Sequence, residues 1–106
     1  MATTEELEKD GYYPAIVVDM QCGRQAVYMG WINYESASNI CVIKNARQCI
    51  YYAGGDHKGV LDLGVNGPAA SARISPMADT VTCRNVLITA SCSKKAIEAW
   101  EKEPWR

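Results

Sequence analysis

Beyond a polar start, the apolar positions of the chain gather into short β-branched runs separated by turn-forming residues. The first, Ala15-Ile16-Val17-Val18, ends at Gln21-Cys22-Gly23-Arg24 and resumes from Ala26 to Ile32, which predicts a hairpin. Asn33 to Ser38 is a polar connection. Ile40-Cys41-Val42-Ile43 then predicts a third strand and Gln48 to Tyr52 a fourth, joined by the short link Lys44-Asn45-Ala46-Arg47, so that successive antiparallel connections make a meander. Alternation along the fourth puts Cys49 and Tyr51 on one face and Ile50 and Tyr52 on the other.

Ala53 to Ala72 is the least regular stretch, opening with Gly54-Gly55, passing through His57-Lys58-Gly59 and closing with Asn66-Gly67-Pro68. It predicts a loop with one helical turn around Val60 to Leu63. Thr80 to Cys83 and Val86 to Ser91 read as strand, with a bulge or a tight turn at Arg84-Asn85 and with Val86, Ile88 and Ala90 sharing a buried face. Ser93 fits an N-cap, Ala96, Ile97 and Trp100 follow at helical spacing, and Pro104 sets the end. That helix should lay Ile97 and Trp100 across the sheet, a burial worth about 2 to 3 kcal/mol for each. At the other end, Thr3 and Glu6 have capping-box spacing, but Leu7 is the single sizeable anchor from Thr3 to Asp10. Residues 1–11 are therefore expected as a flexible tail and residues 12–106 as a single domain. The fold class is α+β, mainly β: a twisted antiparallel sheet, a meander of about five to six strands, packed by one C-terminal helix.

Composition narrows the partners. In 106 residues, 11 Lys and Arg balance 12 Asp and Glu, which leaves no basic stripe for long nucleic acid. No apolar run approaches the roughly 18 to 20 residues of a membrane helix, and Met1 to Asp10 lacks the basic and apolar regions of a signal peptide, so a cytoplasmic location is expected. Five cysteines, Cys22, Cys41, Cys49, Cys83 and Cys92, form an odd set without paired metal-ligand spacing. They are expected as reduced core residues, with no metal and no cofactor.

General acid and base chemistry has one obvious candidate, His57, the single histidine, beside Asp56 and Lys58. Gly54 to Gly59 is not a phosphate-binding P-loop, because Gly59 and Val60 follow Lys58 where Ser or Thr and a helix are needed. A more informative grouping is Asn45, Arg47, Tyr51, Tyr52, His57 and Lys58, which sets cations and amide donors beside aromatic rings. A base stacks on such rings, a phosphate takes the Arg fork or the Lys charge, and Asn reads a base edge or a ribose hydroxyl. Tyr28 and Trp31, in the second strand, are expected to pack the hairpin. Six tyrosines and three tryptophans without a phenylalanine favour aromatics with a polar handle, so a homo-oligomer is expected.

Asn45-Ala46-Arg47 runs into the aromatic pair Tyr51-Tyr52 and then Ala53-Gly54-Gly55, and Ser91-Cys92-Ser93 is followed by Ala96-Ile97 and a terminal Trp105. In these elements, from Met29 to Trp105, the sequence resembles an uncharacterised family of small proteins common in phage and prophage genomes. It departs from that family in the middle loop, where relatives are more helical. The resemblance implies a compact β-rich fold and a phage or prophage origin, hence the cytoplasm of a bacterial host, and implies no particular activity. The function expected from the residues is non-enzymatic capture of a small anionic ligand, such as a cyclic or modified nucleotide that signals in bacterial immunity. The alternatives are a protein–protein interaction module using an aromatic patch or an open sheet edge, and a small hydrolase using His57 or a cysteine.

Overall fold

The computed structural model describes residues 3–21, 23–51, 60–67 and 73–102. Helix α1 (Thr4–Lys9) leads into strands β1 (Tyr13–Gln21), β2 (Arg24–Glu35) and β3 (Ile40–Tyr51). Helix α2 (Val60–Val65), strands β4 (Arg73–Ile74), β5 (Ala78–Cys83) and β6 (Val86–Ser91), and helix α3 (Lys94–Lys102) follow. The protein is mainly β, with six strands in one antiparallel sheet and a C-terminal helix, as the apolar pattern predicts. The first eleven residues, expected as a tail, carry α1: the Glu6 amide donates to the Thr3 hydroxyl at 3.2 Å, and Leu7 is buried.

One strand was expected as two. Lys44 to Arg47 lies inside β3, where Met29 pairs with Arg47 but Trp31 pairs with Lys44, so β3 holds an extra residue. Asn45, at φ 52°, takes the left-handed conformation that lets the strand bulge without ending. Opposite it stands Gly30, where a Cβ would meet the Ile43 side chain, the Lys44 carbonyl oxygen at 2.9 Å and the Ala46 Cα at 3.2 Å. The polar residues that resemble a turn are thus the means by which one long strand bends.

The strand order explains why. The main path is β4-β3-β2-β1-β6, and β5 pairs the other part of the same β3 edge, Ala78 to Cys83 against Ala46 to Cys41. β1 and β3 both run antiparallel to β2, so β5 and β6 run in the same direction as each other. With just Arg84 and Asn85 between them, they form one bent strand that leaves the β3 edge and joins the β1 edge. The sheet is rolled until its two sides meet at that corner. There the buried Asp19 accepts the Asn85 amide at 2.9 Å, and the Asn85 carbonyl accepts the Met20 amide at 3.0 Å.

Rolling buries both faces of β1, which accounts for the unbroken run Ala15 to Val18. Ala15 and Val17 point inward with Tyr28, Ile32, Cys41, Ile43 and Cys83. Ile16 and Val18 point outward with Val27, Met29, Cys49 and Ile74, beneath Leu63 of α2 and Ala96 and Trp100 of α3. In β6, a register shift beside Val18 and Asp19 breaks the expected common face of Val86, Ile88 and Ala90. Val86 packs against the inner cluster, while Ile88 stands opposite Val18 and is exposed.

Candidate functional site

The bulge places Asn45 and Arg47 differently from a strand-end pair. Past Asn45 the alternation is reset, and Arg47 emerges on the outer face of β3, under α3. Its guanidinium is buried, at 4% exposure. Nε donates to the Ser75 carbonyl at 3.0 Å and Nη1 donates to the Trp100 carbonyl in the last turn of α3. A cation beside the carbonyl end of a helix is favoured by the helix dipole as well as by the hydrogen bond. Arg47 is therefore a strut between β3, the exit of β4 and α3, and its fork does not face a surface ligand. Tyr51 closes β3 opposite Arg73 of β4. Tyr52, His57 and Lys58 lie outside the described residues, as does Cys22; of the expected cluster the structure sets Asn45, Arg47 and Tyr51 along the single strand β3, with Arg47 turned under α3, and does not gather them into one site.

Tyr28 and Trp31 are buried, in keeping with packing of the hairpin. Cys41, Cys49 and Cys83 are buried thiols outside any disulfide, and Cys92 is a half-buried one. Burial, reinforced by the Asp19 charge, pushes the Cys41 thiol up to about 11. Burial, then Asp19 and Cys41, push Cys83 up to about 12, and burial alone does the same to Cys92. Such thiols stay protonated near neutrality and are poor nucleophiles. Among the described residues no three His, Cys, Asp or Glu side chains gather to hold a metal ion, and no helix is long and apolar enough to cross a membrane.

Two surface features were not singled out in the sequence. A groove of about 310 Å³ lies on the far end of the β2–β3 hairpin, lined by Tyr12, Asn33, Glu35, Ser38, Ile40 and Val42. Within it Ser38 donates to the Glu35 carboxylate at 2.8 Å, so the polar groups partly satisfy one another. The second feature is α2. Its six residues are too few to be stable alone, and α3 takes its last carbonyls one after another. Trp100 Nε1 donates to Leu63 O at 3.0 Å, the Ser93 amide to Gly64 O at 2.7 Å and the Ser93 hydroxyl to Val65 O at 2.6 Å. The same hydroxyl accepts the Ala96 amide at 3.1 Å and so caps α3, as expected. Leu63 and Gly64 are buried by this clamp, while Leu61 and Val65 stand 61% and 55% exposed. The sequence signal for that surface is the spacing of Leu61 and Val65, one helical turn apart on the face opposite the anchor.

A rolled antiparallel sheet, helices on its outer face and a rigidly held apolar surface define a small mainly-β domain. The chain belongs to the family described as a domain of unknown function, DUF6948, which matches residues 16–100 and so spans from β1 to Trp100 in α3. No curated protein and no solved structure matches the chain significantly.

Proposed function

We propose that the chain is a non-catalytic binding protein that docks another protein on the surface presented by α2. The observation that carries this is the pair Leu61 and Val65, both more than half exposed on a helix whose position is fixed by three hydrogen bonds from α3. A pre-ordered apolar pair loses little further freedom on binding, and fully buried apolar centres are what protein interfaces are built around. The test is a photoreactive residue at Leu61, irradiated in the cell of origin, with Val65→Lys as the control. A discrete adduct that disappears with Val65→Lys supports docking; adducts indifferent to that change sink it.

Capture of a small anion is supported by a different observation. β3 delivers Tyr51 straight into the segment carrying Tyr52, Gly54-Gly55, His57 and Lys58, so ring faces, glycine amides and cations follow one another at a strand end. On this proposal a phage or prophage protein in the bacterial cytoplasm sequesters a nucleotide immune signal, and Arg47, held by the Ser75 and Trp100 carbonyls, takes no part in gripping the phosphate. Native mass spectrometry against a panel of mono-, di- and cyclic nucleotides decides it. Near-integer retention that Lys58→Ala abolishes is the expected result, and absence of retention across the panel rules it out.

A further inference from the structure

We infer that β6 is a self-association edge, pairing antiparallel with β6 of a second copy about a two-fold axis near Ile88. This goes beyond docking on α2 and uses different residues. β6 hydrogen-bonds to β1 on one side. On the other side, among the described residues, α2 reaches just its end, where Gly64 lies against the carbonyl oxygens of Ala90 and Ser91. Earlier in the strand, Leu87 and Ile88 are 50% and 47% exposed.

The ladder shows which backbone groups are offered. The Cys92 amide donates to the Pro14 carbonyl, and the register runs unshifted from Ser91–Ala15 to Ile88–Val18. Antiparallel pairing alternates, so Ala90 and Ile88 turn their amides and carbonyls toward β1, and Thr89 turns its own away. Monomeric proteins guard such an edge with lysine, proline or an inward charge. Val86-Leu87-Ile88-Thr89-Ala90-Ser91 contains none of these; its bulge at Leu87 guards just the start of the strand, ahead of the unshifted stretch from Ile88 to Ser91, and the strand is rich in residues that favour strands. An uncharged edge meets a copy of itself without like-charge repulsion, and a two-fold axis near Ile88 brings both exposed pairs together in one isologous contact. A partner with a charged edge would forfeit that match.

The test follows from the ladder. Thr89→Pro removes an outward donor and leaves every β1 hydrogen bond in place, whereas Thr89→Val keeps the donor. The full chain is weighed by native mass spectrometry and by light scattering across a dilution series, with far-UV circular dichroism as the folding control. The expected result is a dimer for the wild type and Thr89→Val, and at least about tenfold weaker association for folded Thr89→Pro. If Thr89→Pro does not fold, Leu87→Lys serves instead, with the same expected loss. A wild type that stays monomeric throughout the series, or folded edge variants that dimerise as well as the wild type, overturns the inference.

Discussion

Arg47 shows how much a single buried cation can hold. Its guanidinium spans the Ser75 and Trp100 carbonyls, so truncation strands two acceptors and detaches the end of α3 from β3. Arg47→Ala should cost about 2 to 4 kcal/mol in urea denaturation, and Arg47→Lys should recover less than half, because one ammonium cannot reproduce a planar fork. An Arg47→Ala midpoint equal to wild type would remove the strut. The buried thiols make a second prediction. Their folded pKa values of about 11 and 12 at Cys41 and Cys83 exceed the ordinary 9.0. The unfolded chain thus releases these protons first, and stability that is full below pH 9 falls as pH rises through 11 to 12. Each thiol contributes a slope of up to about 1.4 kcal/mol per pH unit, and Cys83→Ala should flatten the profile between pH 9 and 11. Neither property was legible beforehand: hydropathy marks the cysteines as core, but an arginine two residues after an asparagine reads as surface unless the bulge is known.

At the scale of elements, the β1–β2 hairpin, β5, β6, the turn that becomes α2 and the Ser93-capped α3 were all readable from local pattern, because each is specified by alternation, a turn or a cap within its own span. β3 was not. Its polar middle reads as a connection because Asn45-Ala46-Arg47 has the composition of a loop, and what keeps it strand is Gly30 on the neighbouring strand, which no window along β3 contains. Gly30→Ala should therefore cost about 1 to 3 kcal/mol, since a methyl group there meets backbone as well as the Ile43 side chain. Thermal melting checks it; a neutral Gly30→Ala would mean that the bulge has room to move. Ser93→Ala should cost about 1 to 2 kcal/mol, as it removes both the α3 cap and the donor to Val65. Loss of that clamp should also weaken any partner seen through Leu61, even though Ser93 lies outside the exposed pair.

The whole molecule depends on a corner that looks in the sequence like an ordinary turn. Arg84-Asn85 between two strands is as compatible with a reversal as with a bend, and the two give different topologies from identical elements. A two-residue reversal needs left-handed backbone, yet the described non-glycine residues with positive φ are Asn39 and Asn45. The chain therefore runs on, from the β3 edge to the β1 edge, and long-range contacts replace the local hairpin. Asp19 fixes the choice by accepting the Asn85 amide inside the roll. Asp19→Ala should cost about 1 to 2 kcal/mol, leaving the part-buried Asn85 amide without that acceptor. The loss should also be local. Hydrogen exchange at Asn85 and Met20, the two amides of the corner, should rise well before exchange at Val17 in the centre of β1, because the corner can open while the helices still cover the outer face. Uniform loss of protection would mean that the roll opens only with the whole fold. A corner that opens first would instead free the start of β6, and with it the edge we assign to the second copy, so the same variant should change dimerisation and corner exchange together.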